Sequence, residues 1–203
     1  MEDSTKSPGL EADLLVIGWG KAGKTLARDL ASSGRRVVLV ERDDTMIGGT
    51  CINVACVPTK TLVNLAERRG DRDPDDYLKQ AIASRDSLID RLRAANEAML
   101  SGLENVTLVR GEARFTGPRR IRVKAGEETL DITAGAVVVN TGTSPLVPEI
   151  PGVDGKFVHD STTIQHIAGG RVPGTLTIIG GGFIGLEFAS MFAAFGSAVR
   201  ILE

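Results

Sequence analysis

Two glycine-rich turns, each set between an apolar run and a helix-forming stretch, restrict this chain to an α/β architecture with parallel strands. The first is Gly18-Trp19-Gly20-Lys21-Ala22-Gly23, preceded by Leu14-Leu15-Val16-Ile17. The second is Gly180-Gly181-Gly182-Phe183-Ile184-Gly185, preceded by an apolar run at 176–179. A short apolar run of this kind reads as a strand buried on both faces. Glycines permit the tight turn and let backbone amides approach a phosphate at the positive end of the following helix. A second apolar strand closes each unit, at 37–40 and at 199–202. Each ends in an acid, Glu41 or Glu203, 23 positions after the first glycine of its motif. A carboxylate there can accept hydrogen bonds from ribose hydroxyls. The chain therefore reads as carrying two β-α-β dinucleotide-binding units. Lys24, just past the third glycine, reads as a solvent-facing helix residue; the alternative is an added positive charge near the phosphates.

The rest of the chain fits between these units. A helix is expected over 22–32, stopped at Gly34. After the Gly48-Gly49 loop, the stretch from Cys51 to Lys60 enters a helix continuing toward Arg69, with Pro58 early in it. Residues 70–76 are polar and read as a loop. Residues 77–103 form an amphipathic helix with a break near Ser84. Strands follow at 106–108, 121–123, 130–132 and 137–139, with turn residues between them. Residues 143–151 carry three prolines and read as a linker. These boundaries give a tail over 1–12, a first domain over 13–148, and a linker with part of a second domain over 149–203.

Composition excludes several functions. The 24 basic and 26 acidic residues leave a formal net charge of −2, which offers no electrostatic footprint for nucleic acid or anionic lipid. Aromatic residues make up 4%, too few for a base-stacking platform. No apolar run reaches the ~20 residues needed to span a bilayer. The opening residues are polar and acidic, with no basic start followed by an apolar stretch, so they read as a disordered tail and not as a signal peptide. A cytoplasmic protein without membrane or nucleic-acid partners is expected.

Two cysteines, Cys51 and Cys56, are present. At the start of a helix a thiolate is stabilised by the positive dipole end. A pair can store two electrons as disulfide and dithiol. A zinc site would want four ligands, commonly in C-x₂-C pairs, and His159 and His166 lie far off in sequence. Two unrelated buried cysteines are the other alternative.

The stretch Gly49-Thr50-Cys51-Ile52-Asn53-Val54-Ala55-Cys56-Val57-Pro58-Thr59-Lys60 matches G-T-C-x-N-x-x-C-x-P-[ST]-K at every fixed position. With the order of motifs along the chain, it resembles the class I pyridine nucleotide–disulfide oxidoreductases, which include glutathione reductase, dihydrolipoamide dehydrogenase, mercuric reductase and trypanothione reductase. Within that family, residues 18–25 and 49–53 look most like the branch linked to reactive-chlorine resistance in bacteria, with mercuric reductase next.

The resemblance implies a Rossmann-like FAD-binding domain, a parallel sheet with a β-meander, followed by the start of a second Rossmann-like domain for NADH or NADPH. It implies that Gly18, Gly20 and Gly23 cradle the FAD pyrophosphate, with Glu41 on the ribose and Gly49 and Thr50 near the phosphates. Cys56 becomes the thiol against the flavin and Cys51 the interchange thiol. Lys60 is implied to sit buried near the flavin ring, paired with Glu187. Ala113, in Gly111-Glu112-Ala113, lies where family backbone groups meet adenine. Thr141-Gly142 matches the A-T-G turn, with Asn140 replacing its alanine. Gly180, Gly182, Ile184 and Gly185 would hold the nicotinamide dinucleotide. Phe183 occupies the place of a gating tyrosine, and Glu203 favours NADH, because its charge repels a 2′-phosphate. Electrons would pass from the nicotinamide through flavin to the Cys51–Cys56 disulfide, and on to a disulfide or metal-ion acceptor.

Family members run on well past this length and form homodimers, so the chain reads as an amino-terminal portion. Neither His159 nor His166 sits in the family's His-Pro segment. The chain alone is expected to bind FAD weakly and turn over little. Two other readings remain at this point: a non-catalytic dinucleotide-binding remnant, and a two-dinucleotide flavoprotein such as a monooxygenase without a dithiol.

Overall fold

The computed structural model describes residues 9–167 and 170–203. Along the chain run β1 (Leu10–Ile17), α1 (Lys21–Ser32), β2 (Val37–Glu41), a 3-10 turn (Asp44–Met46), α2 (Thr50–Asn53), α3 (Cys56–Glu67) and α4 (Pro74–Ser101). Then come β3 (Val106–Arg110), β4 (Glu112–Gly117), β5 (Arg120–Ala125), β6 (Glu128–Val139), a 3-10 turn (Thr163–His166), β7 (Thr175–Ile179), α5 (Phe183–Phe195) and β8 (Ala198–Leu202). They group into two compact units. One takes the chain up to Asn53 with Arg91–Gly142, the other Val54–Asp90 with Thr143–Glu203.

The first unit is a six-stranded sheet in the order β3-β2-β1-β6-β5-β4. β3, β2, β1 and β6 are parallel, and β6, β5 and β4 are antiparallel. This is the expected parallel sheet with a meander. Alternation sorts the strand residues between two cores. Leu14, Val16, Val37 and Leu39 pack with Ala27 and Ala31 of α1. Leu15, Val38 and Val40 pack with Ile121, Val123 and Ile132 on the other face.

Three expectations are corrected here. The spans 130–132 and 137–139 are one continuous strand. β6 pairs with β5 through its first half and with β1 from Ile132 to Val139. Gly135, between those two spans, is a close approach: a Cβ there would lie 2.9 Å from the Asp13 carbonyl oxygen. β4 was not expected as a strand, because Ala113 and Phe115 are its only alternating apolar positions, too short a pattern to stand out, and Phe115 is exposed. β1 begins at Leu10, within the span read as a tail; the remainder of that reading, residues 1–8, lies outside the described residues.

In the second unit α5 presents Phe188, Met191, Phe192 and Phe195 to Leu62 and Ala66 of α3 and to Tyr77, Leu78 and Ala81 of α4. β7 and β8 pair in parallel beside it. Gly196 ends α5 in the left-handed region, at φ 116°, and Ser197 N–H donates to the Phe192 carbonyl at 2.9 Å.

α4 runs without the break expected near Ser84. It also starts earlier. Pro74 takes the first helical position, and the Asp73 carboxylate accepts from Asp76 N–H at 3.0 Å. Arg85, placed by the amphipathic reading among the solvated charges, is wholly buried, with Nη1 donating to the Gln165 carbonyl at 2.5 Å and Nε to the Asp86 carboxylate at 2.8 Å. No described helix is long and apolar enough to cross a membrane.

Candidate functional site

The two glycine turns adopt one geometry. Gly18 and Gly180 sit at φ 96° and 104°, a region that side chains resist. Gly18 N–H donates to the Val40 carbonyl at 2.8 Å, and Gly180 N–H to the Leu202 carbonyl at 2.8 Å. The next amide in each turn donates to the acid at the end of the second strand: Trp19 N–H to Glu41 at 2.9 Å, and Gly181 N–H to Glu203. Gly20 and Gly182 then open α1 and α5 in extended conformation with no side-chain cap. The first-turn amides are therefore left for an anionic ligand.

Each acid consequently holds its own turn, a role that spacing alone does not reveal. Glu41 is buried and also accepts from Arg42 N–H at 2.9 Å and Asp43 N–H at 3.2 Å. A carboxylate offers about four lone-pair positions, so one stays open to a ribose hydroxyl.

Around the first turn the fold gathers distant residues. A Cβ on Gly20 would lie 2.7 Å from Asn140 Nδ2, and one on Gly23 would lie 2.5 Å from Val16 Cγ1. Gly49, at φ 81°, abuts the Gly20 Cα, and a Cβ on Gly142 would lie 3.2 Å from Thr50 Oγ1. Asn140 N–H continues from β6 to the Ile17 carbonyl at 2.8 Å, and its side-chain amide donates to the Gly18 carbonyl at 3.2 Å. The asparagine that replaces an alanine of the family pattern thus supports the turn from beneath, and Thr141 follows it beside Gly18. Gly111 N–H donates to the Glu41 carbonyl at 2.9 Å, bringing Ala113 of β4 to the same end of the sheet.

Gly18, Gly20, Gly23, Glu41, Gly49, Thr50, Ala113, Thr141 and Gly142 are therefore assembled in one unit. The set has close backbone approaches, an uncapped helix start and a carboxylate with one acceptor position left open. Arg110, opposite Glu41 in register, was not foreseen. Its guanidinium lies 4.8 Å from the Trp19 ring, pairs with Glu97 at 2.6 Å, and lines an opening of about 430 Å³ with Asp44, Thr45, Ile47 and Arg93.

Cys51 is the second residue of α2 and half-buried; Cys56 is the first residue of α3 and exposed. The single helix expected from Cys51 onward is interrupted at Ala55 (φ −110°, ψ −94°), so α2 is one turn long. Its dipole is correspondingly small, whereas Cys56 heads a 12-residue helix. Cys56 and Lys60 share a face of α3 at i, i+4. Lys60 Nζ does pair with Glu187 of α5, but its side chain is 73% exposed. The pair forms as expected, whereas burial of the lysine is not observed in this chain.

Lys24 reverses the other expectation. It is buried, and its ammonium donates to Asn96 Oδ1 of α4 and to the Gly48 carbonyl at 3.4 Å. Burial holds its pKa below the usual lysine range. Negative charge at Cys51 would oppose that shift, and Lys21 adds to it. Asn96 lies 72 positions away and gives no sequence signal.

In the second unit a Cβ on Gly185 would lie 3.3 Å from Ile178 Cγ2, so the third glycine lets α5 close on β7. Phe183 and Ile184 are exposed on the first turn of α5, beside Gly182.

Comparison with known proteins agrees with this geometry. The chain is 44% identical over 190 residues to the probable pyridine nucleotide-disulfide oxidoreductase RclA of Escherichia coli K12, an alignment covering 93% of this chain and 41% of that protein. It is 34% identical to a dihydrolipoyl dehydrogenase of Staphylococcus aureus (96% and 42% covered). It is 35% identical to a mercuric reductase of Acidithiobacillus ferrooxidans (98% and 38% covered). Among solved structures, the HOCl-induced flavoprotein disulfide reductase RclA of E. coli matches with a TM-score of 0.85 at 43% identity, covering 94% of this chain and 42% of that one. Its Cu(II) complex matches with a TM-score of 0.87 at 43% identity, with 95% and 42% covered. The chain thus spans about two-fifths of the length of these relatives. The sequence profile of the pyridine nucleotide-disulphide oxidoreductases matches residues 12–203, and with that match the chain belongs to this family.

Proposed function

We propose that the protein takes two electrons from NADH, through FAD, to a Cys51–Cys56 disulfide and on to a small disulfide or metal-ion acceptor. The supporting observation is the assembly of Gly18, Gly20, Glu41, Gly49 and Thr50 around the uncapped start of α1, with Thr50 directly preceding Cys51. In this reading β1-α1-β2 with the meander, over 13–148, binds FAD, and the β7-α5-β8 unit after 149 binds the nicotinamide dinucleotide. When bound, FAD supplies the conversion of a hydride into electrons that a disulfide can accept.

The protein groups have separate tasks. The amides at the start of α1 and the Gly49-Thr50 backbone hold the phosphates, and Glu41 fixes the ribose while holding the turn. Cys56, the first residue of α3, would be the thiol placed against the flavin. Lys60, one turn on and paired with Glu187, keeps a positive charge beside the redox centre. Overall, NADH, one proton and the disulfide give NAD⁺ and two thiols. Cys51 then attacks an acceptor disulfide, forming one S–S bond and releasing one thiolate, and Cys56 resolves the mixed disulfide. The copper complex of the E. coli relative makes a metal ion an alternative acceptor class. Glu203 would repel a 2′-phosphate and so favours NADH, while Phe183 gates the nicotinamide by its ring alone. A cytoplasmic location fits the sequence, and a homodimer is the expected form of full-length family members, which these residues by themselves would not form normally.

The test is the visible spectrum of a full-length family member carrying these residues, titrated with NADH and, separately, with NADPH. Bound flavin, preferential reduction by NADH and a long-wavelength thiolate–flavin band that vanishes in Cys56→Ser are expected. Absence of flavin, or acceptor reduction unchanged in Cys51→Ser and Cys56→Ser, would overturn the proposal.

A further inference from the structure

We propose that Lys24 is a positioning residue for the interchange thiol: its buried ammonium, fixed between Asn96 and the Gly48 carbonyl, keeps Cys51 in the thiolate form and anchors the loop that presents it. This deepens the function proposed above and rests on its assignment of Cys51.

The first argument is geometric. A lysine inside a protein is rare unless something holds its charge. Here Nζ has two acceptors from separate elements, Asn96 Oδ1 on α4 and Gly48 O in the loop before α2. Asn96 is itself oriented, because its Nδ2 donates to the Leu92 carbonyl at 2.7 Å and leaves Oδ1 for the lysine. The Gly48 carbonyl belongs to the segment that leads, three residues later, into Cys51. That segment is held again at Gly49, whose N–H donates to the Met46 carbonyl at 2.8 Å, and by Asn53, whose side-chain amide donates to the Ile47 and Gly49 carbonyls at 2.8 and 3.0 Å. Lys24 therefore ties α1 to the loop and to α4 at a single buried point.

The second argument is electrostatic. α2 is one turn long, so it supplies almost no helix dipole at Cys51. A fixed cation can do the same work. The charged groups on the elements around α2 are Lys21 and Lys24 of α1, Asp43 and Asp44 at the 3-10 turn, and Arg93 and Glu97 of α4. Arg93 donates to Asn53 Oδ1 at 3.1 Å. Of these, Lys21 disfavours the protonated form of Lys24, and a thiolate at Cys51 favours it. Such coupling is mutual, so the ammonium favours the Cys51 thiolate to the same degree. Burial strengthens the effect by removing the water that would screen it.

The experiment follows iodoacetamide alkylation of the dithiothreitol-reduced protein against pH, in a Cys56→Ser background, by the mass of the peptide carrying residue 51. The parent should show a midpoint below the ordinary thiol value of ~8.5. Lys24→Met, close in volume, should raise that midpoint by about one unit, slowing alkylation near neutral pH about tenfold. Lys24→Arg, which keeps the charge, should restore most of the rate. Coincident profiles for the parent and Lys24→Met would overturn the proposal. So would a parent midpoint at or above the ordinary thiol value, a result that needs no substitution at position 24 to fold.

Because alkylation uses neither NADH nor an acceptor, it separates the two readings. A shifted profile without NADH-driven acceptor reduction in the Cys56-containing protein leaves the Lys24 role standing and removes the redox function. Turnover with an unshifted profile does the reverse.

Discussion

Glu41→Ala should be among the most damaging single substitutions in the first unit. Its carboxylate accepts three backbone N–H groups, from Trp19 at 2.9 Å, Arg42 at 2.9 Å and Asp43 at 3.2 Å, from a residue 9% exposed. A hydrogen bond to a charged group is worth about 1.5–3 kcal/mol, and a buried donor left unmatched costs on the order of 1–3 kcal/mol. Arg42 and Asp43 are exposed, so water can replace their share; Trp19 is buried and its amide cannot be served that way. Taking the Trp19 bond in full and the other two in part gives a loss of about 3–5 kcal/mol. For a domain of this size each kcal/mol moves the melting temperature by about 2–4 °C, so a drop of roughly 6–20 °C is expected.

Glu41→Gln keeps one acceptor oxygen and should lose about half as much. Glu203→Ala, whose exposed carboxylate holds a single amide, should move the melt by less than about 4 °C. The assay is thermal unfolding by circular dichroism on flavin-free protein, which keeps cofactor loss out of the measurement. A Glu41→Ala melt within about 2 °C of the parent would refute the claim that this carboxylate holds the turn.

Other outcomes follow from the same geometry. Gly49→Ala places a Cβ against Gly20 at φ 81°, costing roughly 1–3 kcal/mol in backbone strain alone; flavin content per chain, read from absorbance ratios, should fall sharply. Lys60→Met breaks an ion pair whose lysine is largely exposed, so stability should change by no more than about 1 kcal/mol, while NADH-driven reduction, followed by stopped-flow absorbance, should slow. Asp160 accepts from Thr163 N–H at 2.8 Å and Thr162 N–H at 2.9 Å, and the Thr163 bond first of all holds its pKa below the ordinary carboxylate value. A group lowered on folding contributes stability that is present above its unfolded pKa and disappears as pH falls through its folded one. Asp160→Asn should therefore destabilise the protein at neutral pH and flatten the acid limb of urea midpoint against pH.

Local pattern was enough for the two β-α-β units and for both glycine turns, whereas the pairing of Lys60 with Glu187 across 127 positions came from the family resemblance. Strand runs buried on both faces leave a continuous apolar signal, and a turn that needs positive φ leaves glycines. The same reasoning missed β4, whose apolar alternation is too short to stand out, and split β6 around Gly135, where glycine serves a close approach. A helix break near Ser84 was expected and is absent; α4 is packed at its start through Tyr77, Leu78 and Ala81 and at its end through Leu100, and not held by propensity alone.

At the site, residue types and spacing named the glycines, the acids and the two cysteines, since each must satisfy a local backbone or chemical demand. Tertiary structure alone decided that Glu41 and Glu203 hold their own turns, that Asn140 supports Gly18, and that Lys24 is buried on Asn96. Those facts depend on which distant element fills the space beside a side chain. A lysine one turn into an amphipathic helix carries the same sequence signature whether it meets water or the side chain of a helix 72 positions away.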